Sequence, residues 1–498
     1  MSDYDVIVIG AGGGGVSAGA ILAREGRKVL VLEQSDLIGG CCSTFEKEGF
    51  KFDAGASIVE AIDSIENAFL RLGTTFQKEV DLIPCDPVYS CVLRDDTRLK
   101  IPFSVQGTVE ALSKLSEQDG KNFSAFAEFN AEIHAETKKG FFTSPANSFG
   151  DFARILRASP GLLKHNELFT SSYQDILRKY FKSSKVQETM SFQTWYVGLP
   201  PELALGIFAL LAYLEHEGVW YPRGGMGSIP EALARCGEMN GMEVRLKSRV
   251  KKVMVHDRRV QGVVLDDGTE ITAPVVVSNI NAKTLYLELV GEEHLHPLAR
   301  FGIKSYEPSI SAAMVCLGVD YEPPLDAHHT MITAPYEEMN DYWWNRLDKG
   351  LLPKEQFGLV CWATKSDPSL APEGCHAINV IFMAPYSLAG SDWDKEKERF
   401  LEDSIAYLAR KAVPGLSDHV KVAELITPFD YERRLLHPGG AIYGLQEDLV
   451  AQTVFRPRSK SKSIGGLYLA GASTHPGGGV PLVIGSGIIA SDLVSKYE

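Results

Sequence analysis

Val6-Ile7-Val8-Ile9-Gly10-Ala11-Gly12-Gly13-Gly14-Gly15-Val16, directly behind Tyr4-Asp5, decides the fold. The run beginning at Tyr4 is short, apolar and rich in β-branched side chains, so it reads as a fully buried parallel strand. The glycines after it fit G-x-G-x-x-G. Gly10 permits the tight turn, Gly12 lets the backbone approach a pyrophosphate, and Gly15 lets the next helix pack closely on the strand. Val16 to Glu25 predicts that helix, with Gly26 as its C-terminal stop. Its first N–H groups and positive dipole end would face phosphates. Arg27 to Leu32 reads as a second strand, and Glu33 stands at its end, 18 residues after Gly15. A carboxylate there accepts hydrogen bonds from ribose hydroxyls and repels a 2′-phosphate. Strand, glycine turn, helix, strand and acid thus occur in register for a Rossmann-like dinucleotide site.

The neighbouring segments point to FAD rather than NAD. Gly39-Gly40 follows the acid within seven residues, and Phe45 to Ala56 contains Gly49, Phe50, Phe52, Asp53 and Gly55. A second glycine turn of this kind leads the chain along the pyrophosphate and ribityl groups in two-domain flavoproteins. Near the other terminus, Gly465 to Gly471 reads as a loop and a short buried strand. His475-Pro476-Gly477-Gly478-Gly479-Val480-Pro481 then precedes an apolar helix over Leu482 to about Lys496. Pro481 suits the first helical position, and a helix N-terminus there stabilises negative charge on a reduced flavin. Ordinary glycine loops are the alternative for both segments. The expected cofactor contacts are Gly10, Ala11, Gly12, Gly13, Gly14, Gly15, Glu33, Gln34, Gly39, Gly40, Cys41, Gly55, Ala56, Ser57, Val250, Gly471, Ala472, Gly479, Val480 and Pro481.

The middle of the chain divides into blocks. Met242 to Asn279 alternates in strand fashion, with turns at Asp257-Arg258-Arg259 and Asp266-Asp267-Gly268. This resembles the β-meander inserted in FAD-binding domains, where Val250 would offer backbone groups to the adenine. Val275 to Asn279 reads as a further buried parallel strand. Residues 100–220 look mainly helical and rich in aromatics, and residues 300–435 mix strands and helices. The expected class is α/β: a discontinuous FAD-binding domain over 1–95, 220–300 and 440–498, and a mixed α+β substrate domain over 96–219 and 301–439. No second strand–GxGxxG–helix unit occurs, so a dedicated NAD(P)H domain is not expected.

The chain has 498 residues, 45% of them apolar, and a formal net charge of −14. That balance argues against nucleic-acid partners, which need clustered positive charge. Eight cysteines are scattered without a C-x-x-C pair, and no His cluster sits beside them. Neither a metal site nor a disulfide framework is expected, and the cysteines read as small buried residues of a reduced, cytoplasmic protein. No run approaches the roughly 20 apolar residues of a membrane span. The longest, Leu203 to Leu214, reads as a buried helix. Phe141, Phe142, Phe149, Phe152, Ile155, Leu156, Leu162 and Leu163 interleave with Arg154, Arg157 and Lys164. They form either a basic amphipathic face lying on the inner surface of a membrane or a helix packed in the substrate domain.

With these residues on view, the chain resembles the phytoene desaturase, carotenoid isomerase and retinol saturase superfamily of FAD enzymes along essentially its whole length. Trp220-Tyr221-Pro222-Arg223-Gly224-Gly225-Met226, Gln452 with Phe455-Arg456-Pro457, and Leu467 to Ser486 carry the resemblance beside the N-terminal fingerprint. Cys41 stands where desaturases of this family usually carry Arg, and Gly39-Gly40-Cys41-Cys42 is more similar to retinol saturases. The resemblance implies a hydrophobic polyene or isoprenoid substrate held over the flavin in a dry channel. The implied reaction is desaturation, with saturation or non-redox cis–trans isomerisation as alternatives. A non-catalytic flavin-binding partner and an amine oxidase are the more distant readings. Among Arg223, Glu215, His216, His475 and Tyr431, polar residues of the family-like elements, His475 and Arg223 are the expected catalytic groups.

Overall fold

The computed structural model describes residues 2–139, 149–447 and 456–498. Its first sheet has five parallel strands in the order Leu467–Leu469, Val275–Ser278, Val6–Ile9 (β1), Val29–Leu32 (β2) and Glu243–Arg245. β1 sits at the centre with all four side chains buried, which is why it reads as continuously apolar rather than alternating. Gly13–Arg24 (α1) follows the glycine turn, and Gly26, at φ +89°, ends it in the left-handed region. Four stretches far apart in sequence thus complete the sheet around β1.

Val250–His256, Arg259–Leu265 and Glu270–Thr272 form the expected antiparallel meander. Asp257 and Arg258 both take positive φ at its first hairpin, the geometry that matches strand twist.

The second sheet has seven strands, in the order Val420–Ile426, Ser311–Val319, His376–Ala384, Gly358–Trp362, His329–Ile332, Tyr89–Val92 and Arg98–Ile101. Every pairing is antiparallel except Tyr89–Val92 with His329–Ile332. Tyr89–Val92 lies before residue 95, so the second sheet begins earlier in the chain than the sequence reading divides it. Ser311–Val319 is buried at all nine positions because its neighbours cover both edges and packed layers cover both faces.

Between the strands Arg98–Ile101 and Trp220–Pro222 the described chain is helical, with Val105–Ser113, Glu117–Thr137, Tyr173–Tyr180 and Ser184–Ser191 as its main α-helices. Leu203 to Leu214 is not one helix. A 3₁₀ turn over Gly206–Leu210 leads into a single α-turn at Leu211–Leu214. Among the described residues one helix, Val480–Tyr497, is long and apolar enough to cross a membrane, and half of it is buried in the protein. It packs on α1 through glycine: a Cβ at Gly487 would lie 2.4 Å from the Gly14 carbonyl oxygen.

Phe141 and Phe142 lie outside the described residues, as do Gln452 and Phe455. In the helix Phe149–Ala158 and the turn after it, Ile155 and Leu162 are buried while Leu163 is 60% exposed.

Candidate active site

The carboxyl ends of the parallel strands open into one cavity of about 580 Å³. This is where open α/β sheets bind ligands. Its lining brings together Gly10, Gly12, Gly13, Glu33, Gln34, Gly39, Gly40, Cys41, Gly55, Ala56, Ser57, Val250, Gly471, Ala472, His475, Gly479, Val480 and Pro481. Residues from both termini therefore meet around one space.

Of the other expected contacts, Ala11, Gly14 and Gly15 stand just behind this wall. The Ala11 N–H donates to Glu33 Oε2 at 2.8 Å, and the Ser35 N–H donates to Oε1 at 2.9 Å. These two bonds hold the acid at the end of β2. At Gly14 a Cβ would stand 2.8 Å from both the Gly471 nitrogen and the Val483 carbonyl oxygen. The Gly39 N–H donates to the Ala11 carbonyl at 2.9 Å, which ties the second glycine turn to the first.

The residues present suit a dinucleotide flavin. Neither α1 nor the C-terminal helix has a side-chain cap, and both begin at the cavity. Their first-turn N–H groups are left for a ligand. The Asn279 Oδ1, buried at the end of Val275–Ser278, has no partner in the protein, and the Asn279 side chain abuts Gly12, Gly14 and Gly471. Asn279 carries no motif, but its place at the carboxyl end of a central strand is a signal that points to the site.

The catalytic expectations divide. His475 lines the cavity and is 7% exposed, next to a cis His475–Pro476 bond. Arg223 does not line it. Its Nε lies 2.6 Å from Asp81 Oδ2, and the residue is exposed. The element it belongs to works through its neighbours instead: Tyr221 Oη and the Met226 N–H donate to the buried Asp53 at 2.6 and 2.8 Å, and Thr44 Oγ1 adds a third bond at 2.7 Å. His216 also lies outside the lining, with Nδ1 2.8 Å from the Phe103 carbonyl. Tyr431 lines the cavity and donates to the Ala54 carbonyl at 3.0 Å.

Cys41 faces the cavity, and burial pushes its thiol up to about 11, so it is a neutral thiol at physiological pH. His437 lines the cavity too. Burial lowers its pKa and leaves a neutral ring whose Nδ1 lies 2.8 Å from the Ala441 carbonyl.

Two clusters lie outside the expected catalytic pair, the first around Glu215, one of the five polar candidates. Glu60 and Tyr196 line the cavity beside Leu210, Leu211 and Leu214, with Glu215 fully buried next to them. An acid within the apolar run Ala54 to Ile62 was the available signal. The second cluster corrects the expectation that no histidines sit by the cysteines: His328, His329 and Cys361 come together, all buried. His329 lies directly across from Cys361 in the second sheet. His328 Nε2 is 3.1 Å from Cys361 Sγ, and its Nδ1 is 2.7 Å from Ser366 Oγ. His329 Nε2 is 2.7 Å from the carbonyl of cavity-lining Ser57.

The model of the flavin containing amine oxidoreductase family matches residues 14–495. The lycopene-forming phytoene desaturase of Pantoea ananas is 31% identical over 499 residues, covering 98% of this chain and 99% of its own. The phytoene desaturase of Fusarium fujikuroi is 30% identical, covering 99% and 90%. Among solved structures, an oxidoreductase from Methanosarcina mazei superposes with a TM-score of 0.67 at 17% identity over 99% of this chain and all of that one. Wild-type putrescine oxidase bound to putrescine gives 0.62 at 16% identity, covering 99% and 98%. The chain therefore belongs to the flavin-containing amine oxidoreductase family, on its phytoene desaturase branch, and is an FAD-dependent oxidoreductase.

Proposed function

We propose that this enzyme desaturates a long apolar polyene, taking hydrogen from adjacent carbons of an isoprenoid chain. The observation that carries the reading is the cavity wall beside the glycine turns. Ile207, Phe208, Leu210, Leu211, Leu214, Leu359 and Ile381 line it, and hydrocarbon is the ligand such a wall desolvates at least cost. The names of the Pantoea and Fusarium relatives support the same substrate class. FAD, when bound, supplies the hydride acceptor. The seventeen expected contacts that line the cavity are the residues we propose to hold it, with Ala11, Gly14 and Gly15 supporting them from behind and the backbone N–H groups of both helix starts facing its charged parts. Ile207 to Leu214 excludes water and aligns the chain. His475 is kept as a group near the reacting carbons and Arg223 is not. The domain division we propose follows the two sheets, with the meander on the cofactor side.

The test is anaerobic. Purified enzyme with oxidised FAD is mixed with phytoene in liposomes. The flavin absorbance is expected to bleach in step with the appearance of longer conjugated products. Turnover only with reduced FAD and without net electron transfer would overturn desaturation in favour of isomerisation.

Substrate of this kind resides in membranes, so we also propose peripheral contact with an anionic bilayer through residues 149–164. Leu163 is exposed there between Arg157 and Lys164. Leu163→Glu is expected to reduce co-sedimentation with anionic vesicles while FAD content is unchanged. Equal sedimentation of both proteins would sink the idea.

A further inference from the structure

Buried carboxylates among the described residues otherwise hold at least two donors, even Asp119, whose Oδ1 has no partner but whose Oδ2 accepts from the Lys182 and Ser183 N–H groups. Asp53 accepts three hydrogen bonds, Glu188 accepts from the Arg94 N–H and Thr333 Oγ1, and Glu447 accepts from Arg456 and the Gly478 N–H. Half-buried Glu60 and fully buried Glu215 break this pattern. Buried Glu60 Oε2 and Glu215 Oε1 have no partner, and neither do Gln193 Oε1 and Tyr196 Oη beside them. Among the described residues the one bond to the pair is a long one from Gln193 Nε2 to Glu215 Oε2, at 3.5 Å, and that amide is shared with Tyr89 Oη at 3.0 Å. Leaving a buried acceptor unsatisfied costs about 1–3 kcal/mol, more for a charged group. A structural role would not require that cost, because an apolar pair would fill the same space without it.

We propose that Glu60 and Glu215 form a carboxylate–carboxyl pair in which Glu60 accepts the proton released from the substrate. The inference rests on the desaturase reading. One C–H bond breaks with its electron pair, and the hydride leaves to the oxidised cofactor. The adjacent C–H bond breaks, its pair becomes the new C=C bond, and its proton forms a carboxyl O–H on Glu60. That carboxyl then releases the proton to solvent before the next turnover. Glu215, set behind the cavity wall with no exposed surface, is the positioning residue: it stays neutral and keeps a like charge away from Glu60.

The groups facing the pair are Tyr196, Tyr89, Tyr173 and Cys91, with Tyr443 beyond Tyr196. All are neutral near physiological pH, and among the described residues no cation acts on either carboxyl. Burial alone raises Glu60 to about 8, and burial with the neighbouring Glu60 charge holds Glu215 well above the usual carboxylate range. An acid raised in this way is a base only at and above that pH. The rate should therefore climb as pH rises towards about 8 and level off beyond it.

The test uses the full-length FAD-loaded enzyme. Single-turnover flavin reduction by phytoene in liposomes is followed against pH for wild type, Glu60→Gln, Glu60→Asp and Glu215→Gln. Glu60→Gln is expected to slow reduction by about 10²-fold or more, the usual contribution of a positioned base. FAD content and thermal midpoint should be unchanged, the pH limb should vanish, and Glu60→Asp should restore part of the rate. Independently of turnover, infrared titration should show a neutral carboxyl band that ionises near pH 8 in wild type and is missing in Glu60→Gln. A second, non-titrating band should be lost in Glu215→Gln. Reduction by Glu60→Gln at the wild-type rate with the limb intact overturns the proposal, as does ionisation of Glu60 in the ordinary carboxylate range. If wild type itself is not reduced by phytoene, the desaturase reading fails first and takes the proton acceptor with it. A defect confined to the Glu60 variants leaves that reading standing.

Discussion

Arg456→Ala is expected to destabilise the protein by about 3–5 kcal/mol and to release FAD on purification. The Arg456 and Glu447 side chains are 2% and 4% exposed, with Nη2 and Oε1 3.3 Å apart. Each also holds a piece of the C-terminal glycine segment. Arg456 Nη2 donates to the Ala472 carbonyl at 2.6 Å, and Glu447 Oε1 accepts from the Gly478 N–H at 2.7 Å. Ala472 and Gly478 both line the cofactor cavity. The pair therefore clamps the two sides of the turn that carries His475. Removing the guanidinium leaves a buried carboxylate without its cation, which costs more than the pair itself contributes.

The sign of the pH effect follows from Glu447, whose carboxyl burial already holds above its usual value. A raised carboxyl binds its proton more tightly when folded. Its contribution to stability is intact in acid and is lost as pH rises through the folded value. Without Arg456 that value rises further, so the deficit should deepen from mildly acid to alkaline buffer. Thermal melts across pH and the ratio of FAD to protein absorbance read both effects. A melt unchanged in alkaline buffer would show that the clamp carries no load. Arg456→Lys should recover only part, since the shorter side chain must bring its ammonium to the place of the one Nη2 atom that donates to both acceptors.

The parts of the site legible in the sequence are those built from contiguous residues. β1, the glycine turn, α1 and β2 follow one another without interruption, and each has its own signal: β-branched run, glycine spacing, C-terminal Gly26. Pro481 marks a helix start in the same local way, and Val480–Tyr497 begins within a residue of it. The parts that were not legible depend on pairing across hundreds of residues. His329 and Cys361 become neighbours only because two strands of the second sheet align in antiparallel register. Glu60 and Glu215 meet only when a loop behind the second glycine turn packs against a short helical turn 155 residues on. Leu203 to Leu214 misleads because a continuous apolar run looks the same whether it forms a helix or a chain of tight turns. Arg223 misleads for another reason. It sits in a family-like element whose buried work is done by Tyr221 and Met226 on Asp53, so the charge is conspicuous while its neighbours hold the fold.

Gly15→Val is expected to yield a protein that neither binds FAD nor folds to a normal melt, although the substitution adds only an isopropyl group. An ideal Cβ at Gly15 lies 2.1 Å from the Gly10 carbonyl oxygen and 3.1 Å from the Asn279 Cβ. The first contact is with backbone, which cannot rotate away as a side chain can. Gly10 itself is at φ +93°, a conformation only glycine adopts without strain, so the turn has no slack with which to yield. Relief requires α1 to move off β1. α1 is held on its other side by the C-terminal helix, where Gly14 and Gly487 bring backbone within contact distance. Moving it would open both walls of the cofactor cavity at once, because the N–H groups that face the cavity belong to the first turns of these two helices. The control is Gly26→Ala. Gly26 has a comparable φ of +89° but nothing within 4 Å of a Cβ. It should lose only the left-handed strain, about 1–2 kcal/mol, and stay yellow. Equal FAD retention by the two variants would mean that close packing of α1 on β1 is dispensable, and that the cavity is held open by some part of the chain other than the glycine turn.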